Sequence, residues 1–360
     1  MKKDIKIAIH RHEKSFSDYW IDWCENNNVN FKIVDAYDSN IINEISDCDG
    51  FMWHWHNDSH ADQIFAKELI IAISSMGIKV FPDVNTSWHY DDKLGQKYLF
   101  ECKDIPHVKT FVFYEKKEAL FWLNKAQYPI VFKLRSGAGS NNVKLVKNAK
   151  EGARFVKKAF GLGFPAVDLY EVASQALWEF RRDKKIRDLV RFGYHYIRAI
   201  SGVRSESISL RGKEIGYVYF QEFIPDNKYD DRLVVVGNRC FCVRRMCREN
   251  DFRASGSGIL KYDHNIFPKE SIELAFLVSK KIGTQSVAMD IVYDNNNKPR
   301  IVEISYCFVV GKSYEDCDGY FNEKLEWEKE KVTPQIFMIE DFMQSIKREG
   351  AYSRGEINTL

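Results

Sequence analysis

Between residues 5 and 82, short strand-like runs alternate with helix-like ones: "IKIAIH", "FSDYWIDWCENN", "FKIVDAY", "IINEI", "GFMWHWH", "ADQIFAKELIIAISSMG" and "KVFPD". That order predicts βαβ units and a parallel sheet, an α/β fold. From "NTSWHYDDKLGQKYLFECK" onward the pattern changes. A helix opening near Asn85 to Ser87 is followed by the strand "VKTFVFY", the helix "KKEALFWLNKA" and the strand "PIVFKL", and we place a boundary near residue 88. Helix formers dominate from about 164 to 214, around "LWEFRRDKKIRDLVRFGYHYIRAI". Strands then resume with "YVYFQEFI", "RLVVVG" and "RCFCVRRMC", and helical residues 271 to 282 precede a last hairpin, "SVAMDIVYDNNNKPRIVEIS".

The stretch "PIVFKLRSGAGSNN" sets Lys133 inside an apolar strand. An unpaired ammonium is costly to desolvate, so the lysine calls for an anionic partner. Ser136, Gly137, Gly139 and Ser140 follow, and such a loop lets backbone N–H groups approach a polyphosphate closely. The lysine precedes the glycines, which excludes a Walker A loop, and "GAGSNN" lacks the third glycine of a dinucleotide-binding turn. Taken alone, the stretch fits a glycine-containing hairpin with a snorkelling lysine equally well.

A symmetric turn at "DNNNKP" sets Asp290 directly opposite Glu303. Opposed like charges destabilise a sheet unless something neutralises them, and a divalent cation does so. Mg²⁺ takes a few carboxylates together with substrate phosphate oxygens. Ser305 lies two residues beyond Glu303 and shares its face. The alternative is a carboxylate simply solvated at the turn.

With 360 residues, 45% of them hydrophobic, the chain has enough apolar surface for two or three subdomains. A net charge of +2 argues against nucleic acid as a partner. No apolar span is long enough to cross a membrane, and the start "MKKDIKIAIHRHEK" lacks a signal-peptide core, so a cytoplasmic protein is expected. The eight cysteines include no C-x-x-C pair and read as reduced thiols, with Cys240 and Cys242 packing on one side of a strand.

In this order the motifs resemble those of the ATP-grasp enzymes, over roughly residues 88 to 310. The resemblance implies a pre-ATP-grasp α/β domain over 1–88. It implies a small subdomain over 89–225, carrying the glycine-rich loop and a basic helical insertion at about 164–214. A large subdomain over 226–360 would carry the metal-binding hairpin and a C-terminal helix. It further implies ATP and Mg²⁺ as cofactors. Lys93, in "YDDKLGQKYL", looks like the lysine that opens the family's nucleotide-binding half. Lys133 looks like the one that grips the α and β phosphates. Gln221, Glu222 and Ile224, in "QEFI", are similar to the adenine-reading hinge, and Asp230 to the ribose-binding acid. Asp290 and Glu303 match the metal ligands.

The pattern "VRRMCRENDFRASGSG" resembles amino-acid ligases such as the ribosomal-protein glutamate ligases. That makes Arg253 a candidate for holding the transferred phosphate, with Arg232 and Arg245 behind it; the alternative for each is a structural ion pair. Two departures stand out. "EIS" replaces the family's E-x-N, so Ser305 ligates through its hydroxyl or not at all. The helical insertion also lengthens the distance from Lys133 to Glu222.

The resemblance implies an ADP-forming carboxylate–amine ligase acting on small molecules through an acyl phosphate. A kinase on the same fold and a non-catalytic nucleotide binder are the alternatives. The basic insertion, with "RRDKKIR", reads as a solvated helix face, as a site for an anionic sugar-linked or lipid-linked acceptor, including one in the cell envelope, or as a face for a phospholipid surface. A homo-oligomer is left open. His10, His12, His54 and His56 fall at strand ends, where open α/β sheets bind ligands. Cleft contact, packing and a metal site are all compatible with them.

Overall fold

A computed structural model describes residues 5–137, 142–202, 206–249 and 251–353. Gly139 and Ser140 lie outside the described residues. The strands β1 (Lys6–His10), β2 (Asn30–Val34), β3 (Gly50–Met52) and β4 (Lys79–Phe81) form a parallel sheet in the order β2-β1-β3-β4. The helices α1 (Phe16–Asn26), α2 (Ile41–Glu44) and α3 (His60–Ser75) make its crossovers, as the alternating sequence requires. Ser15 and Ser59 cap α1 and α3 through their hydroxyls, which accept from backbone N–H groups of the first turn.

The helix expected from Asn85 is instead two. After α4 (Val84–Ser87) the chain breaks, and α5 (Lys93–Cys102) begins only at Lys93. Asp91 sits at φ +52°, which no helix continues through, and the Asp92 carboxylate caps the N–H groups of Leu94 and Gly95. This break brings Asp91 and Lys93 to one place.

A second sheet follows, all antiparallel. Its strands are β5 (Thr110–Phe113), β6 (Ile130–Lys133), β7 (Lys144–Val146) and β10 (Val218–Glu222), in the order β5-β10-β6-β7. The helices α6 (Lys116–Leu123) and α7 (Ala149–Ala159) cover one face. Within this unit lies the insertion: α8 (Leu169–Asp183), α9 (Ile186–Ser201) and α10 (Glu206–Leu210). The short pair β8 (Phe164–Pro165) and β9 (Lys213–Glu214) ties its two ends together.

The third sheet comprises β11 (Tyr229–Val236), β12 (Arg239–Met246), β13 (Leu260–Lys261), β14 (Ser286–Tyr293), β15 (Pro299–Ser305), β16 (Tyr320–Asn322) and β17 (Trp327–Glu328). Its order is β15-β14-β11-β12-β16-β17, with β13 on β12. One face of β11 and β12 packs on α11 (Lys269–Ile282) through Leu233, Val235, Cys240 and Cys242. Their other face, Val234, Val236, Phe241 and Val243, joins the first sheet and the final helix in one core. The short α12 (Lys312–Glu315) precedes that helix, α13 (Pro334–Ser353). It crosses β3 so closely that a Cβ on Gly50 would stand 2.8 Å from Phe342 and Ile346. Any larger residue there would have to displace these two side chains.

Candidate active site

The C-terminal ends of the first sheet and one face of each of the others surround a cavity of about 920 Å³. Lys133 ends β6 and points into it. Its Nζ donates at 2.7 Å to Oε1 of Gln221, two residues along β10 from Tyr219, the residue that pairs with Lys133. No described carboxylate lies within ion-pair distance, so a buried ammonium faces the cavity with only an amide for partner. Burial pushes its pKa down to about 8, against the pull of Glu303.

Lys93 is placed differently. Its Nζ pairs with Oε1 of Glu303 at 3.0 Å and donates to the Gly137 carbonyl at 2.9 Å. Burial opposes its charge, but Glu303 and Asp91 outweigh that and raise the pKa. The Asp91 carboxylate accepts the Gly137 N–H at 2.8 Å. The two side chains thus clamp the root of the glycine-rich loop, where Gly137 adopts φ +112°. Asp91 was missed in the sequence, although "YDDK" carried it; a carboxylate next to a motif lysine is signal enough to find it. Ser136 does not line the cavity: its hydroxyl donates to Glu214 at 2.5 Å, at the base of the insertion.

Asp290 and Glu303 do face each other across β14 and β15, by a route other than a symmetric turn. The strands leave the turn paired as Tyr293 with Pro299, and a bulge between Asp290 and Ile291 restores the register. The expected neutralisation is already supplied by protein cations. Arg232 grips Asp290 with Nε at 2.6 Å and Nη2 at 2.8 Å, and Arg245 adds Nη2 at 2.8 Å. Burial opposes the negative charge, yet Arg232 and Arg245 hold Asp290 well below the usual carboxylate range. Arg245 also holds Asp230 with two bonds of 2.6 Å. Arg232 and Arg245 therefore sit in a buried ion network along three neighbouring strands, whereas Arg253 lines the cavity from a loop and pairs with Asp251 at 2.8 Å.

Ser305 reaches the cavity, but its hydroxyl donates to the Cys307 carbonyl at 2.6 Å and accepts the Cys307 N–H at 3.1 Å, closing a turn. Ser305→Ala is therefore expected to lower stability by about 1 kcal/mol. Thermal unfolding checks this, and an unchanged melting temperature would show that the turn does not need the hydroxyl.

Gln221, Glu222 and Ile224 border the cavity's apolar end, with Val108, Val131, Val292 and Val302. His54 and His56 wall the opposite end with Asn57, Cys307 and Phe308. His10 does not take part: its Nδ1 accepts the Ala36 N–H at 2.9 Å, and its ring packs against Tyr37 and Trp53. His12 is exposed, its ring 4.9 Å from that of His56.

His54, His56 and Cys307 have ligating atoms within 4.8 Å of one another, the one such group of three among the described residues. His54 argues against a metal there. Its Nδ1 accepts the Phe16 N–H at 3.2 Å, which leaves the ring proton on Nε2, 3.0 Å from the Cys307 sulfur. Burial keeps this imidazole neutral, well below its ordinary pKa, and pushes the Cys307 thiol up to about 12. His54 and Cys307 are hydrogen-bonded to each other, and the His56 ring packs beside them with no hydrogen-bond partner for its Nε2 among the described residues. Sequence periodicity could not pair His54 with a cysteine 253 positions away.

No family model matches the sequence, and no curated protein matches it. Solved structures do match. A RimK-domain ATP-grasp protein from Sphaerobacter thermophilus aligns over 94% of this chain and 98% of its own, at TM-score 0.55 and 15% identity. D-alanine–D-alanine ligase from Bacillus anthracis aligns over 96% and 99%, at 0.56 and 13%. D-cycloserine synthetase aligns over 94% and 99%, at 0.56 and 10%. The chain has the ATP-grasp fold. Within this fold the cavity lies between the second and third sheets, and the α8–α9 hairpin lies between β7 and β10. No described helix is long and apolar enough to cross a membrane.

Proposed function

We propose that this chain is an ADP-forming, ATP-dependent carboxylate–amine ligase. Lys133 carries the reading: a buried cation with only Gln221 for partner, facing a cavity of about 920 Å³, is a site built to be completed by an anion. Phosphate is the anion that the ATP-grasp fold supports. Lys133 and Lys93 bind the nucleotide's phosphates, with Gly137 held beside them by Lys93 and Asp91. The adenine enters the apolar end beside Gln221, Glu222 and Ile224, and Asp230 faces the ribose.

The donors fit a magnesium ion held mainly by phosphate oxygens. Glu303 is the protein's anchor, because its Oε2 has no hydrogen bond to any described residue, whereas Asp290 already receives three N–H groups. When bound, the ion supplies charge neutralisation on the phosphates. Ser305 is not needed as a ligand.

The substrate carboxylate attacks the γ-phosphorus and ADP leaves, giving an acyl phosphate. The amine then attacks the acyl carbon, phosphate departs, and the amine's proton passes to solvent. Lys133 and Arg253 stabilise the charge that builds on the transferred phosphoryl group, Arg253 exchanging Asp251 for it. His54 and His56 wall the end where the carboxylate and amine substrates bind. The basic α8–α9 hairpin packs on the loop bordering that cavity and supports an anionic, sugar-linked or lipid-linked acceptor of the cell envelope.

Hydroxylamine supplied in place of the amine tests the reaction. A screen of carboxylates should find one that yields a hydroxamate with stoichiometric ADP. A stable phosphoester without hydroxamate means a kinase, and ATP binding without ADP release means a silent binder.

A further inference from the structure

The helix α9 reads "IRDLVRFGYHYIRAIS", and its apolar residues lie on the wrong side for a core. Ile186, Val190, Ile197 and Ile200 recur at helical spacing, and each exposes between 62% and 76% of its surface. Leu189 and Tyr194 extend the same stripe. The opposite side of α9 packs along α8, where Asp188 is buried and Arg191 reaches Glu179 at 3.0 Å. A folded protein does not leave a helix-long apolar stripe in water without a partner.

Charge says what that partner is. Between residues 181 and 200 there are seven basic side chains and two acidic ones. Arg187 flanks the stripe, and Arg181 and Lys184, at the turn into α9, form no ion pair with any described residue. Arg198 lies along the Tyr194 ring, an arrangement that carries a guanidinium beside an apolar surface. A second copy of the chain would set this positive strip against itself. An anionic lipid surface satisfies stripe and charge together, and a helix with arginines along its flank lies on such a surface without spanning it.

We propose that α9 is an interfacial helix that docks the protein on anionic phospholipid. The hairpin also sits at the cavity. Gln175 and Trp178 of α8 donate to the carbonyls of Gly256 and Ser257, in the loop whose Gly256 and Gly258 line that cavity. Docking therefore places at the membrane a hairpin whose other helix holds a loop of the cavity. The inference does not rest on the ligase reading, because lipid binding is measured without turnover.

The full chain is floated with vesicles of phosphatidylcholine alone and of phosphatidylcholine mixed with phosphatidylglycerol. Binding is expected to the mixed vesicles only, and to weaken as salt rises. Replacing Val190→Glu and Ile197→Glu together should cut the affinity at least ~10-fold, with thermal unfolding and ATP binding unchanged. Arg181→Ser with Lys184→Ser should also weaken binding, and does not depend on the first pair folding well. Failure of the wild type to float with the mixed vesicles, equal binding by both variants, or sedimentation of a dimer that the Val190 and Ile197 changes dissolve while vesicles stay unbound would each overturn the proposal.

Discussion

Replacing Lys133 by Met should abolish turnover and, at the same time, make the ligand-free protein more stable. At neutral pH a pKa of about 8 in place of 10.5 costs on the order of 3 kcal/mol, at about 1.4 kcal/mol per unit. Methionine keeps most of the volume and removes the charge. Its cost is the lost hydrogen bond to Gln221, about 1 kcal/mol. The net gain of about 1–2 kcal/mol should appear as a higher melting temperature, while ATP affinity and turnover fall by orders of magnitude. The pH dependence has a definite sign. Between pH 8 and 10.5 the unfolded chain holds the lysine proton and the folded chain releases it, so wild-type stability rises with pH across that window. The Lys133→Met variant should lack that rise. Wild-type ATP affinity should fall over the same window as the ammonium is lost. A variant that melts earlier than wild type at pH 7, or that still turns over ATP, would contradict the assignment.

Glu303→Ala is expected to cost both activity and stability, which separates it from Lys133→Met. It removes the carboxylate proposed to anchor the metal and leaves Lys93 as a second buried ammonium, hydrogen-bonded only to the Gly137 carbonyl among the described residues. Breaking a buried pair on one side typically costs about 3–5 kcal/mol, and the partial exposure of Glu303 places the expected loss at about 2–3 kcal/mol. Turnover should drop by at least ~100-fold. Adding Lys93→Met to Glu303→Ala should recover most of the stability and none of the turnover. Melting curves and ADP release on the two single variants and the double variant decide this. Full recovery of ADP release in the double variant would show that neither residue serves the nucleotide.

The sequence alone determined the order of the elements and the two charges that matter most. Alternation between period-two and helical runs is local, so the parallel first sheet was readable from residues 5 to 82. Lys133 within an apolar strand was equally plain, because burial of a charge is written in its immediate neighbours. The facing of Asp290 and Glu303 follows from a hairpin, the shortest-range tertiary contact there is, although a bulge between Asp290 and Ile291 rather than a symmetric turn sets it.

Which cation answers which carboxylate was decided only in three dimensions. Asp290 meets Arg232 because β11 lies beside β14, an order that no local pattern encodes, and Arg245 reaches both Asp230 and Asp290 from the next strand along. Gln96 reaches Ile304 across 208 positions and carries α5 onto β15, which sets Lys93 on Glu303. His54 finds Cys307 the same way. Helix or strand is a preference each segment expresses by itself, through side-chain spacing and capping. Pairing between distant side chains exists only once the sheets have stacked, and in this cavity that stacking leaves Lys133 a buried charge with no opposite among the described residues.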